Sequence, residues 1–471
     1  MAVVLEQIVS EGLAQLSYLV GDDKAGLVAV IDPRRDVAIY LKKAQILGAR
    51  IIAIIETHIH ADFVSGAHEL AVRTGAPIYT GENDAYTFAH HPVQEGEKIE
   101  LGTITLQALP TPGHTPEHIS WLLFDQKQGD RPIAVFSGDT LFNLDAGRPD
   151  LLGSDETKQL AIALHQSLYE KLLPLGDRVE LYPGHGAGSA CGKSIGDRRQ
   201  STLGNEHMFS PVFSHPVQAD FLHWLLDAMP EPPRHYADLK KLNAAGAPIK
   251  GGLPLIPPLS PEEFRQQMSQ EGVLVLDARS ILAFGGGHIP GALNIALQNE
   301  FPTWVGWMVE RTTPILLVVE SERDLMLVSQ HLFRTGYDMI LGYLHQGMTS
   351  WQNAALPLQS IKEWTVHTLH QQIENPTLTI LDVRSEQERQ KGYVPHSQHR
   401  FVAHLRDNLA GLEPFQPVAT YCGTGFRASI AASILQQNGF TNVINVPGFW
   451  TAWQVANLPI EKTDNESTDN K

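Results

Sequence analysis

The second half of the chain contains one stretch of about a hundred residues twice, the size of a small domain. Val273-Leu-Val-Leu-Asp277-Ala-Arg279 is echoed by Leu378-Thr-Ile-Leu-Asp382-Val-Arg384, and Gly287-His-Ile-Pro290 by Gly392-Tyr-Val-Pro395, both offset by 105 residues. The match continues with Gly336-Tyr337 against Gly439-Phe440 and Trp351-Gln352 against Trp453-Gln454, at offsets of 103 and 102. Within each copy short apolar runs alternate with longer helical ones: Val418 to Tyr421 reads as a buried strand, and Ala428 to Asn438 as a helix ending at Gly439. That alternation predicts an α/β domain with a parallel sheet. The copies are placed at 258–358 and 362–462, and the polar tail 463–471 is expected to be disordered.

Ahead of them, Pro and Gly cluster between Ala244 and Pro261, where missing backbone donors and added chain freedom mark a boundary. The first domain is therefore read as residues 1–250. It opens with a hairpin, Leu16 to Val20 and Leu27 to Ile31 across Gly-Asp-Asp-Lys, and continues with mixed strands and helices joined by His-rich turns. The formal charge of −17 is spread along the chain and leaves no basic stripe for a phosphate backbone, so nucleic acid is not an expected partner. No run approaches the ~18 apolar residues of a membrane helix, Ile51 to Ile55 being among the strongest, so no membrane partner is expected. The first residues lack the pattern of a signal peptide and Cys191 and Cys422 are the two cysteines, which predicts a cytoplasmic protein without a disulfide framework.

Chemistry gathers first at the histidines. Ile51 to Ile55 delivers Glu56-Thr57-His58-Ile59-His60-Ala61-Asp62-Phe63 into a turn, from which imidazoles at i and i+2 and a carboxylate at i+4 can converge on a cation. His114 after Gly113, Asp139 after Gly138 and His185 after Gly184 each follow a strand-like run in the same way. A lone histidine is usually a satisfied core or surface group, but the same arrangement at several places predicts a metal site.

These motifs, in this order, resemble the metallo-β-lactamase fold, an αββα sandwich with its metal site at the mouth between the sheets. Two-zinc members normally carry a second His directly after the Asp, where this chain has Phe63, so the second metal position is depleted. The departure resembles the persulfide dioxygenase branch, which implies one Fe(II) per chain held by His58, His114 and Asp139. Two imidazoles and one carboxylate leave open positions for a sulfur ligand and O₂. His60, Asp62 and His185 then orient ligands or a water, the alternative being a single zinc with His60 as a direct ligand. Gly147-Arg148-Pro149-Asp150 resembles the dioxygenases' Gly-Arg-x-Asp, which implies that Arg148 holds the thiol carrier; the plainer reading pairs it with Asp150. Glutathione-using relatives follow the last histidine with Asp-Tyr, whereas here Gly186 to Cys191 follow, and Cys191 is either a sulfur acceptor facing the metal or a small buried residue.

The last motif is Tyr421-Cys422-Gly423-Thr424-Gly425-Phe426-Arg427, between a buried strand and a helix, where successive backbone N–H groups converge on an anion. Such a nest with Arg427 favours thiolate and cradles a persulfide anion. With Asp382-Val-Arg384 and Gly392-Tyr-Val-Pro395, this copy resembles the rhodanese sulfurtransferases. The resemblance implies a catalytic Cys422 with Arg427, and Gly423, Thr424, Gly425 and Phe426 as substrate-binding loop residues. The first copy aligns Val319-Glu320 near the cysteine position and is expected to be inert.

The whole is similar to the multidomain persulfide dioxygenase–sulfurtransferases, which implies a low-molecular-weight thiol persulfide, O₂ and sulfite as reactants and a homo-oligomer as the assembly. A glyoxalase II-like zinc thioester hydrolase fused to a sulfurtransferase is the first rival. A sulfur relay whose metal domain is inert is the second.

Overall fold

The run Arg50–Ile55 is apolar at every position but its first because it lies inside a sheet covered on both faces. In the computed structural model, which describes residues 3–227 and 229–462, it pairs in parallel with Leu27–Ile31 on one side and Ile78–Thr80 on the other. The tail 463–471 lies outside the described residues. The chain divides into two compact units, Met1–Pro254 with Gln330–Tyr337, and Leu255–Ser329 with Asp338–Lys471.

The first unit contains two six-stranded sheets. One runs Val3–Ser10, Gln15–Asp22, Leu27–Ile31, Arg50–Ile55, Ile78–Thr80, His91–Pro92 in that order. The other runs Ser201–Thr202, Glu180–Pro183, Ala134–Gly138, Ile119–Asp125, Ile104–Pro110, Lys98–Leu101. The expected hairpin is present, Gln15–Asp22 against Leu27–Ile31, and Asp22 Oδ1 closes its turn by accepting from the N–H groups of Lys24 and Ala25 at 2.8 and 3.2 Å. Val20, Ile31 and Ile55 from one sheet meet Leu106, Trp121 and Phe136 from the other in a single apolar layer. Helices Ala38–Ile46 and Ala67–Thr74 cover the outer face of the first sheet, and Ser154–Gln166 with its neighbours covers the second, completing the αββα layering.

The second unit contains two five-stranded sheets of identical strand order, which is the duplication made structural. The parallel strands are Pro258–Leu259, Ile340–Leu344, Ile315–Val318, Leu274–Asp277 and Leu293–Asn294 in the first copy. In the second they are Lys362–Glu363, Val443–Asn445, Val418–Tyr421, Thr379–Asp382 and Gln398–His399. Asp277 pairs with Val318 and Asp382 with Tyr421, so Val319 stands exactly where Cys422 does. The repeated Asp-x-Arg motif is a clasp in both copies. Arg279 pairs with Asp277 and donates to Gly287 O at 3.0 Å, and Arg384 pairs with Asp382 and donates to Gly392 O at 2.8 Å. The helix Phe426–Gln437 begins two residues earlier than its apolar pattern predicts, because Gly425 at φ +104° turns the chain directly into it. Arg427 therefore lies in the helix's first turn. Among the described residues no helix is long and apolar enough to cross a membrane.

Candidate metal centre and cysteine loop

The metal centre forms where strand ends of the two sheets meet. Asp32, immediately after the strand Leu27–Ile31, accepts from Thr57 N at 2.7 Å and from Thr57 Oγ1 at 2.8 Å, which sets the turn carrying the histidines. Thr57 thus spends its hydroxyl proton on Asp32 and must accept from His58 Nδ1, 2.9 Å away. That leaves the His58 Nε2 lone pair free. His114 is set the same way, its Nδ1–H donating to Arg148 O at 2.8 Å. Asp139 Oδ2 lies 3.7 Å from His58 Nε2 and 3.5 Å from His114 Nε2, and Asp139 Oδ1 faces His185 Nδ1 at 2.8 Å.

His58, His114 and Asp139 are buried, and their ligand atoms lie within 4.8 Å of one another. His58 Nε2 and Asp139 Oδ2 have no hydrogen-bond partner among the described residues. Burial holds both imidazoles below their ordinary pKa, and so neutral, and neighbouring histidines lower His58 further. Burial opposes the charge on Asp139, but the charge and hydrogen bond of His185 outweigh it and keep the carboxyl below the usual range. Two neutral imidazoles and one carboxylate facing one another, with His58 Nε2 and Asp139 Oδ2 left without partners, fit a divalent cation. The glycines before the ligands are required by space. A Cβ on Gly138, at φ +49°, would lie 2.5 Å from His118 Nε2, and one on Gly184 would lie 2.5 Å from Asp139 Oδ1.

The other candidates take different places. His60 turns its Nε2 to Asp32 Oδ1 at 3.1 Å and to Glu56 Oε2 at 3.7 Å, forming a separate buried group with them. Burial would lower the His60 pKa, but the Asp32 carboxylate raises it to about 9. His185 holds Asp62 Oδ2 on Nε2 at 2.8 Å as well as Asp139 on Nδ1, and these two carboxylates raise its pKa well above the ordinary value against the effect of burial. Cys191 is buried beside Asp62 and His185, and burial with the nearby carboxylates pushes its thiol well up. Arg148 is completely buried and makes a bidentate pair with Asp150, 2.7 Å at each contact, while also donating to Ala190 O and Pro230 O. It braces the loop carrying Cys191, whose carbonyl accepts from Arg148 N at 3.0 Å. The plainer of its two sequence readings describes its contacts.

Sequence reasoning missed His118 and Asp32. His118 lies four residues beyond His114, and its Nε2 accepts from Asp139 N. Asp32 ends an apolar strand just as the ligand types do, so the signal was present.

In the second unit Cys422 is 1% exposed at the end of the strand Val418–Tyr421, and Gly425 N donates to its sulfur at 3.1 Å. Gly448 N donates to Thr424 O at 2.8 Å and Trp450 N to Gly423 O at 3.1 Å, anchoring the loop from behind. Arg427 lies against Cys422 and is held by Glu388, a residue the sequence reading did not single out and which also closes a capping box with Ser385 at the start of the helix Glu386–Gln390. At the corresponding place in the first copy there is a cavity of about 220 Å³ lined by Val319, Glu320, Tyr343 and His345.

Fold and centre together define a metal-binding domain of the metallo-β-lactamase type joined to two rhodanese-like domains. A Metallo-beta-lactamase superfamily model matches residues 11–185 and a Rhodanese-like domain model matches 260–354 and 365–456; the chain belongs to the metallo-β-lactamase superfamily and carries two rhodanese-like domains. It is similar to a crystal structure of a metallo-beta-lactamase from Staphylococcus aureus, with 38% identity, 73% of this chain and 99% of that chain covered, and a TM-score of 0.67. It is 31% identical over 205 residues to a probable metallo-hydrolase of Burkholderia pseudomallei, covering 36% of this chain and 68% of that protein. It is 29% identical over 211 residues to the hydroxyacylglutathione hydrolase GloC of Haemophilus influenzae, covering 40% of this chain and 93% of that protein.

Proposed function

We propose that the chain is a persulfide dioxygenase coupled to a sulfurtransferase, acting on a low-molecular-weight thiol persulfide such as glutathione persulfide. The observation that carries this reading is the donor set: His58, His114 and Asp139 converge and His60 is turned to Asp32, while the residue after Asp62, a His in the two-zinc members this chain resembles, is the fully buried Phe63. His58, His114 and Asp139 would hold Fe(II), which would supply the chemistry for oxidising a persulfide sulfur with O₂. The net reaction is RSSH + O₂ + H₂O → RSH + SO₃²⁻ + 2H⁺, the outer sulfur being oxidised and O₂ reduced.

The chain's own part is to hold the donors in place. Thr57 and Arg148 O orient the two imidazoles, and His118 and His185 hold Asp139. In the second unit the Cys422 thiolate attacks the outer sulfur of RSSH, the S–S bond breaks, and RS⁻ leaves with Cys422–S–SH formed. Sulfite then attacks that outer sulfur, giving thiosulfate and a proton and returning the thiolate. Arg427 and the loop amides stabilise the anions. Cys191, buried next to Asp139, is the further candidate for carrying sulfur in the first unit.

The likeness to GloC favours the rival thioester hydrolase, which requires two zinc ions. Oxygen consumption by anaerobically iron-loaded protein on adding glutathione persulfide, with metal content on the same sample, separates the readings. Rapid uptake with one iron per chain and sulfite or thiosulfate as product is expected. No uptake, with two zinc ions bound and thioester cleavage, establishes the hydrolase. Sulfur loading at Cys422 without O₂ uptake by the iron-loaded protein establishes the relay.

A further inference from the structure

We propose that Glu388 is a positioning residue for sulfur transfer: it locks Arg427 in one orientation against Cys422 and cancels the arginine's excess charge at the loop. The inference rests on the reading that Cys422 carries sulfur.

The geometry is a fork on a fork. Arg427 Nη1 donates to Glu388 Oε2 and Nη2 to Oε1, each at 2.6 Å, and the two side chains are 18% and 36% exposed. Glu388 is itself fixed, because its Oε2 accepts from Ser385 N and Ser385 Oγ, both at 3.0 Å, at the start of the helix Glu386–Gln390. Arg427 enters from the first turn of the helix Phe426–Gln437, with Nη2 3.6 Å from where a Cβ on Gly423 would stand. A guanidinium tied at its far end by two short bonds has no rotamer freedom left to lose when substrate arrives.

A plain structural reading makes Glu388 a helix cap with an incidental ion pair, and the duplicate copy argues against it. In the first copy Ser280 caps the equivalent helix, accepting from Ala283 N at 3.2 Å, as Ser385 accepts from Glu388 N at 3.3 Å. The Asp277–Arg279 clasp is also kept. What the first copy lacks is the carboxylate, since Ala283 occupies the Glu388 position, and the thiol, since Val319 occupies the Cys422 position. The cap and clasp therefore form without the glutamate. Its carboxylate occurs in the copy that has a thiolate and an arginine to manage.

Arg427 is the cation against the sulfur, with Glu388 behind it; Arg384, which also faces Glu388, is paired to Asp382. With Glu388 ionised, Arg427 contributes direction more than net charge, and the loop N–H groups carry the anion. Neutralising Glu388 leaves an unbalanced cation beside the sulfur and a looser guanidinium.

The test uses the full-length protein. Sulfur transfer from glutathione persulfide to sulfite is measured together with the pH midpoint for iodoacetamide alkylation of the Cys422 peptide, followed by mass, in wild type, Glu388→Gln and Glu388→Asp. For Glu388→Gln we expect about a tenfold lower kcat and an alkylation midpoint moved to lower pH by about one unit. Glu388→Asp keeps the charge and is expected to restore the midpoint while recovering only part of the rate. A merely structural role moves the midpoint up or not at all, because a disordered loop loses the donors that favour thiolate. If wild type loads sulfur on Cys422 and both variants match it in rate and midpoint, the positioning role is overturned. If wild type does not load sulfur there, the sulfur-transfer reading falls first and the inference with it.

Discussion

His118 accepts the backbone N–H of Asp139 on its Nε2 at 2.9 Å, while its Nδ1 faces the hydroxyls of Thr111 and Thr140 at 3.0 Å each. The ring must therefore be neutral with its proton on Nδ1. Burial, then the neighbouring His114, enforces this by pushing its pKa down to about 3. A residue that is not a ligand thus fixes the backbone on which a ligand sits. Replacing His118 by Leu leaves a buried N–H without a partner and is expected to weaken metal binding about 10–100-fold. Metal content after dialysis against a graded chelator checks this; retention equal to wild type removes His118 from the centre's support.

The two chemistries are separable by substitution. His58→Ala is expected to abolish O₂ uptake while leaving sulfur loading at Cys422, and Cys422→Ser to do the reverse. Oxygen electrode traces and peptide mass spectra on the same preparations read both. Loss of both activities in a folded single variant would falsify the two-site model.

Arg148 offers a contest between structure and substrate binding. Its guanidinium is fully buried and its partner Asp150 is 22% exposed, so Arg148→Met is expected to cost about 2–3 kcal/mol of stability, below the full loss for a completely buried pair. Urea unfolding measures it. A raised KM for the persulfide with unchanged stability would instead give Arg148 the carrier-holding role.

The Glu388–Arg427 pair makes a pH prediction. Burial alone would raise the Glu388 carboxyl from its ordinary 4.5, but the hydrogen bonds and charge of Arg427, then Ser385, overcome this and hold it at about 2. The unfolded chain binds the proton more readily in that window, so the pair's contribution is complete above pH 4.5 and lost as pH falls through about 2. Wild type is therefore expected to lose its stability advantage over Glu388→Gln between those values. Denaturant midpoints across the range, converging as pH drops, are the signature.

Much of this was legible in the amino-acid order alone. The duplication, the α/β class of both copies, the strand Arg50–Ile55 that delivers His58, and the cysteine loop at a strand-to-helix turn are all written in short-range patterns. Apolar runs and glycine stops act over a few residues, and that is enough to decide which side chain a strand end presents. What the tertiary structure decided is which lone pair faces which. His58 and His60 are two residues apart and look alike in sequence. Asp32, 25 residues from Thr57, turns His58 toward the centre through that threonine and draws His60 away from it. Arg427 and Glu388, 39 residues apart, and Arg148 with Pro230, 82 apart, are set by strands and loops that meet only after folding. A hydrogen-bond partner at long range leaves no period in the sequence, because its choice depends on the packing of whole sheets rather than on neighbouring residues.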